Sequence, residues 1–242
     1  MRVHFVVHEP FEAPGVYESW ARERGHEITR SLLYVGEPLP GDARAVDLLV
    51  IMGGPQSPAT TTAECPYFDA RAEMALIAAC VAAGTAVIGV CLGSQLLGEA
   101  LGAPCERSSE EEVGLFPVTL TQAGRRHPFF EDFETEFGAG HWHKDMPGLT
   151  DEAVVLARSK GCARQIVAYG RFLYGLQCHM EFTPALVDAL IKSAGDELSS
   201  LSGRRFVQQP PALRQNDYGP MNKKLIAFLD RLAADYSAVA RG

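Results

Sequence analysis

The chain has 242 residues, 47% of them hydrophobic and 21% charged, which suits a folded α/β-sized protein rather than a disordered one. Its 22 basic and 30 acidic residues leave a formal charge of −8, and no Lys/Arg cluster stands out, so a nucleic-acid surface is not expected. No stretch reaches the roughly 18 apolar residues of a membrane span, and the N-terminal apolar run is short and broken by His4, so no signal peptide, no membrane partner and a cytoplasmic location are expected.

Residues 2–8 (RVHFVVH) predict a buried strand. After Pro14, Val16 and Trp20 fall on one helical face, with Gly25 as a stop. Residues 28–34 predict a second strand. Residues 46–52 (VDLLVIM) form a continuous apolar run that meets Gly53-Gly54-Pro55, a strand entering a sharp turn. An Ala-rich helix is predicted over 67–83, closed by Gly84; TAVIGV is the next strand and SQLLGEALG the next helix. Strands that are apolar on both faces and alternate with helices imply a parallel sheet covered on both sides. Beyond residue 110 come five strand-like stretches without long helices between them: EVGLFPVTL, TEFGAGHWH, AVVLARS, RQIVAYG and RFLYGLQCH. They predict an antiparallel or mixed extension. Two helical patterns close the chain. PALVDALIKSAGDEL puts Leu186, Leu190 and Ile191 on one face, and MNKKLIAFLDRLAADY does the same for Leu225, Leu229 and Leu232. VQQPPALRQNDYGP between them reads as a Pro-rich loop strapped over the surface. The expected architecture is a three-layer, flavodoxin-like α/β fold in one domain over 1–242, with a core over about 1–200 and a terminal loop and helix over about 203–242. Six scattered cysteines match neither a disulfide framework nor a zinc spacing and are expected as free thiols. Glu110-Glu111-Glu112 reads as a solvated loop or strand entrance.

Gly89-Val90-Cys91-Leu92-Gly93 has the form of a strand turning sharply into a helix with a nucleophile at the corner. The following helix N-terminus favours an anion there. The competing reading is a packed cysteine in a tight turn. A cysteine nucleophile needs a base. Of seven histidines, His179 is best placed, ending the apolar strand YGLQCH, with Glu181 two residues on and on the same side of an extended chain. The backbone at Gly53-Gly54 can come close to a ligand and supply an oxyanion donor beside the amide of Leu92; alone, it would be a plain turn. His141 and His143 offer two metal ligands on one strand face, but no third is apparent nearby, so no metal and no cofactor are assigned. A strand-end loop contacting substrate is the preferred reading of His141-Trp142-His143-Lys144-Asp145.

GGPQS, GVCLGSQLLG, HWHKD and GLQCHMEFTP follow in the order and rough spacing of the class I, triad-type glutamine amidotransferases, over about residues 46–190. The chain most resembles stand-alone relatives of the GMP synthase glutaminase domain. The resemblance implies Cys91 as nucleophile, His179 as base and acid, and Glu181 as its orienting partner. It implies oxyanion amides at Gly54 and Leu92, and substrate contacts from Gln95 and from the backbone around Trp142, Lys144 and Asp145. It also implies a small-molecule substrate, glutamine or a γ-glutamyl amide. The family's Ser-His-Gly-Asp stretch appears here as Trp142-His143-Lys144-Asp145, with Lys where Gly is common. The SGGxDS motif that opens the ATP-pyrophosphatase domain of GMP synthase is absent. Three readings follow. The chain is a glutaminase that hands ammonia to a synthase encoded elsewhere, or a stand-alone γ-glutamyl hydrolase, or a non-catalytic binding protein on the same fold.

Overall fold

The computed structural model describes residues 1–239. The strands are β1 (Arg2–Val7), β2 (Glu27–Leu32), β3 (Leu48–Ile51), β4 (Ala86–Val90), β5 (Glu106–Leu120), β6 (Glu136–Met146), β7 (Val154–Arg158), β8 (Ile166–Gly170) and β9 (Leu173–Leu176). Among the described residues they form one sheet in the order β2-β1-β3-β4-β9-β8-β7-β5-β6. The pairs from β2 to β9 are parallel. Those from β9 outward to β6 are antiparallel.

The helices are α1 (Val16–Glu23), α2 (Ala70–Ala83), α3 (Leu92–Ala100), α4 (Gln122–Arg126), α5 (Pro184–Ala194), α6 (Asp196–Ser200), α7 (Pro210–Gln215) and α8 (Gly219–Val239). Alternation along the parallel strands feeds two cores. Val3, Phe5, Leu48, Val50, Ile88 and Val90 face α1 and α8. Val6, Leu49, Ile51 and Val87 face α2 and α3. The expected three layers are therefore present. α2 starts and stops as its sequence dictates: Asp69 accepts the N–H groups of Arg71 and Ala72, and Gly84 closes it at φ 75°.

The carboxyl-terminal part departs from expectation in three places. The stretch read as one helix from Pro184 breaks at Gly195, whose φ of 48° separates α5 from α6. On α5 the buried residues are Val187 and Leu190, whereas Leu186 and Ile191 are only partly covered. The Pro-rich segment is not all loop: Pro210 opens α7, as proline's fixed φ favours at a first turn. Ahead of it, Phe206–Gln208 does strap the sheet, exchanging backbone bonds with Val113 on β5 at 2.8 and 2.7 Å. α8 buries Leu225, Leu229 and Leu232 in the main core, as its spacing predicted; each contributes roughly 2 kcal/mol of apolar burial. Residues 240–242 of the expected terminal element lie outside the described residues. All six cysteines are free. Among the described residues, no helix is long and apolar enough to cross a membrane.

Candidate active site

The carboxyl ends of β1, β3 and β4 meet where the chain order reverses across the sheet, the usual place for a ligand in an open α/β sheet. Cys91 follows β4 directly and caps α3 with φ 50° and ψ −107°. Among the described residues it is the one non-glycine with positive φ. Such a backbone costs on the order of 1–3 kcal/mol and persists only where the surroundings enforce it. Here they do. A Cβ on Gly89 would collide with the carbonyl of Gly93, and a Cβ on Gly93 would collide with the carbonyl of Ile51 on β3. The Cys91 N–H donates to Leu176 O on β9 at 2.8 Å, and its own carbonyl accepts from the Ser94 and Gln95 amides at 3.0 and 3.2 Å. The thiol is thereby presented to a cavity of about 270 Å³, with its sulfur 3.7 Å from the Trp142 carbonyl it donates to.

Gly54, Leu92, Gln95, Trp142, Lys144 and Asp145 all line that cavity with Cys91. No hydrogen bond from the N–H of Gly54 or Leu92 appears among the described residues. The Gly53-Gly54 turn is held from behind. His8, at the end of β1, donates from Nδ1 to Gly53 O at 2.8 Å, and its Nε2 meets Glu73 Oε2 on α2 at 2.9 Å. Both side chains are buried. Burial disfavours the charged imidazole, but the Glu73 carboxylate outweighs it and raises the His8 pKa above its ordinary value. In a trans peptide the C=O and the next N–H point opposite ways, so fixing the Gly53 carbonyl on His8 fixes the Gly54 N–H away from it.

His179 lies three residues beyond the end of β9 rather than at the strand's last position. Its backbone is tied to the other half of the sheet, donating to Gly140 O on β6 at 2.7 Å and accepting from Gly140 N at 3.0 Å. Its Nδ1 donates to Glu181 Oε1 at 2.7 Å, and Phe182 stacks on the ring at 4.4 Å and 15°. The ring is fully buried, which opposes charge, but Glu181 and the adjoining Cys91 lift its pKa well above the ordinary histidine range.

Several groups in and around the site were not legible in the sequence. Glu12, just past β1, lines the cavity and approaches Gly53 so closely that a Cβ there would meet its Oε2 at 2.6 Å. Burial, tempered by His179, pushes its pKa up to about 7. Gln177 accepts from Gln95 Nε2 and Ser94 Oγ, both at 3.2 Å, and so fixes the Gln95 amide. Asp145 carries an ion pair to Arg107 at 3.3 Å. Two sequence expectations need correction. Residues 141–145 are not a strand-end loop but part of β6. Glu112 is not solvated but fully buried, because β5 is irregular between Arg107 and Glu112 and re-enters its pairing with Glu112 turned inward, opposite His143. The third group that the His141-x-His143 pair lacked in the sequence is thus Glu112.

A family model described as glutamine amidotransferase class-I matches residues 22–193. Over 237 residues the chain is 55% identical to the glutamine amidotransferase-like protein YfeJ of Salmonella typhimurium, covering 98% of this chain and 99% of that one. It is 27% identical over 169 residues to a glutamine-hydrolyzing GMP synthase subunit from Methanococcus maripaludis, covering 64% and 81% respectively. Among solved structures, SMU.1228c matches with a TM-score of 0.94 at 46% identity, over 96% of this chain and 100% of that one. A glutamine amidotransferase of Thermotoga maritima matches with a TM-score of 0.84 at 25% identity, over 96% and 97%. The chain belongs to the class I glutamine amidotransferases.

Proposed function

We propose that the protein hydrolyses the γ-amide of glutamine or of a γ-glutamyl compound through a thioester on Cys91. Glutamine amide hydrolysis is the general chemistry of the family, and one observation supports the finer reading above the others. The one strained non-glycine residue among those described is a cysteine that faces a cavity; the buried His179–Glu181 pair adjoins it, with His179 Nε2 left without a hydrogen-bond partner.

His179 takes the Cys91 proton at Nε2, and the sulfur attacks the γ-carbonyl carbon. The carbonyl π pair moves to oxygen, where the N–H groups of Gly54 and Leu92 receive the oxyanion; one such donor is typically worth about 3 kcal/mol. Collapse re-forms the carbonyl and breaks the C–N bond, and His179 returns its proton to the leaving nitrogen. Ammonia or an amine departs. Water, giving a proton to the same nitrogen of His179, then attacks the thioester, releasing glutamate and restoring the thiol. Glu181 keeps the ring's other N–H occupied and turned, and so leaves one nitrogen for both transfers. Gln95, Lys144 and Asp145 line the remainder of the cavity and are assigned to the amino-acid end of the substrate; the carbonyl of Trp142 completes that wall beside the sulfur.

A second observation favours a leaving group larger than ammonia. Besides the residues around Cys91, the cavity is lined by Val113, Leu190, Leu198 and Leu201, with Glu111, Ser193 and Glu197 among them. The apolar side chains of this set suit a carbon substituent on the amide nitrogen and support the γ-glutamyl hydrolase reading beside the glutaminase one. The likeness to a GMP synthase subunit makes delivery of ammonia to a separate synthase the competing outcome. Purified protein assayed with L-glutamine and a panel of γ-glutamyl amides separates these. Full turnover of one γ-glutamyl amide without a partner supports the hydrolase; weak activity on glutamine alone supports the ammonia-delivering role. Activity retained in Cys91→Ala would sink both, and release of glutamate from nothing would leave the binding-protein reading.

A further inference from the structure

A second polar cluster lies within the antiparallel extension; the acyl-transfer steps at Cys91 make no use of it, although one member, His143, also lines the Cys91 cavity. Glu112 on β5 stands opposite His143 on β6, and His141 shares the face of His143. Gln165, immediately before β8, and Ser159, after β7, reach the same point. Glu112, His141 and Gln165 are completely buried and His143 nearly so. His141 Nδ1 and His143 Nε2 are 3.3 Å apart, and Glu112 Oε2 is 3.5 Å from the second and 3.7 Å from the first. The Gln165 side-chain nitrogen is 2.7 Å from Glu112 Oε2 and 3.2 Å from each ring nitrogen.

Hydrogen bonding alone fits this arrangement poorly. The carboxylate–imidazole distances exceed the range of an N–H···O bond. One NH₂ group, with two hydrogens, lies within 3.2 Å of four polar atoms, Ser159 Oγ being the fourth at 3.0 Å while its own hydroxyl donates to Glu112 Oε2 at 2.8 Å. The carbonyl oxygen of the same amide is buried and has no partner. Buried polar groups are nearly always satisfied, so both misfits call for a cause. A cation removes the first and, with the amide turned over, the second; Glu112 Oε1, His141 Nε2 and His143 Nδ1, buried on the outer side of the cluster, keep no hydrogen-bond partner. Four ligand atoms about 2.0–2.1 Å from a tetrahedral centre lie roughly 3.3–3.4 Å from one another. The three ring and carboxylate separations, 3.3, 3.5 and 3.7 Å, are close to such edges. The amide of Gln165, 3.2 Å from each ring nitrogen but 2.7 Å from Glu112 Oε2, reaches the fourth corner once it is turned over, so that its unpartnered oxygen faces the centre, and draws back from Glu112.

We propose that Glu112, His141, His143 and Gln165 form a buried site for a divalent cation of the zinc class. Two imidazoles, one carboxylate and one amide oxygen make a compact mixed N/O set, whereas magnesium and calcium take six or more oxygens. With all four corners supplied by the protein, no position is open to substrate, so the site is structural. It would join β5, β6 and the entry to β8. Trp142, between the two histidines, carries the carbonyl that meets the Cys91 thiol. The ion would therefore hold one wall of the active site without touching the substrate.

The test is metal analysis of full-length, untagged protein, followed by titration of EDTA-dialysed protein with zinc chloride against a chromophoric chelator. The expected result is about one zinc per chain and a melting temperature raised by zinc. Cys91 and His179 are the other pair able to hold zinc, so Cys91→Ala is titrated in parallel and should keep its ion. His141→Ala and Glu112→Gln should bind zinc at least about tenfold more weakly. Should those variants fail to fold, cobalt(II) added to the wild-type protein decides. A tetrahedral visible spectrum without a thiolate charge-transfer band supports the site; a thiolate band assigns the metal to Cys91. The proposal is overturned if wild type takes up no zinc, or if Cys91→Ala loses the ion that His141→Ala retains.

Discussion

The two halves of the sheet hold their chemical groups by different means. In the parallel half the backbone does the positioning. Cys91 is fixed by a tight elbow whose glycines leave no room for a side chain, and the proposed oxyanion donors are main-chain amides on two such turns. In the antiparallel extension the positioning is done by buried polar side chains, Glu112, His141, His143 and Gln165, on two long strands and at the entry to a third. His179 stands at the seam: it follows the last parallel strand, and its backbone is bonded to Gly140 of the extension. Substitutions should therefore act on geometry in the first half and on hydrogen-bond satisfaction and charge in the second.

The largest effect is expected at the seam. His179→Ala should lower the turnover of a γ-glutamyl amide by about 10³- to 10⁴-fold and, by leaving Glu181 buried without its partner, also lower the melting temperature; steady-state kinetics at a temperature where calorimetry shows the variant folded checks this. Next comes the backbone contrast. Gly93→Ala drives a Cβ into the Ile51 carbonyl and should cost about 3 kcal/mol or more. Gly138→Ala on β6, whose Cβ would meet nothing closer than Leu115 at 3.6 Å, should stay within about 0.5 kcal/mol. Urea unfolding of the pair tells whether the elbow is as intolerant as its geometry demands.

Glu12 gives a pH test on the parallel side. Its folded pKa of about 7 lies above its ordinary 4.5, so over that interval the folded state holds a proton the unfolded state has lost. Its contribution is full below about pH 4.5 and is lost as the pH rises through 7, a decline on the order of 3 kcal/mol. Glu12→Gln should flatten that decline and leave the variant more stable than wild type at pH 8, measured by urea unfolding at pH 5 and pH 8. A small effect is also expected at the solvent-accessible Arg107–Asp145 pair across β5 and β6: Arg107→Ala should change stability by less than about 0.5 kcal/mol.

The same contrast explains what could be read from the sequence. The parallel half was legible because strands apolar on both faces announce a covered sheet, and Gly-rich corners mark where they stop. The elbow at Cys91 and the His179–Glu181 pair are legible only when their spacings are read together and with the family resemblance, and the His179 and Glu181 side chains do meet. Glu12 and His8 were not found, because nothing near them in the chain says that β1 will end beside Gly53. Glu112 was misread for a similar reason. In a run of three glutamates the solvated reading is natural, and only the irregular pairing of β5 with β6 turns one of them inward. The break between α5 and α6 rests on one backbone angle at Gly195, in a stretch whose apolar spacing runs on without interruption.

The central claim is a covalent γ-glutamyl thioester on Cys91. Rapid acid quenching during turnover of L-glutamine or a γ-glutamyl amide, followed by mass spectrometry of the cysteine-containing peptides, tests it directly. The account predicts a γ-glutamyl adduct on the Cys91 peptide, on none of the other five cysteines, and more of it in His179→Ala if thioester hydrolysis slows more than its formation. Steady release of glutamate while Cys91 remains unmodified, or at an undiminished rate in Cys91→Ala, would contradict it.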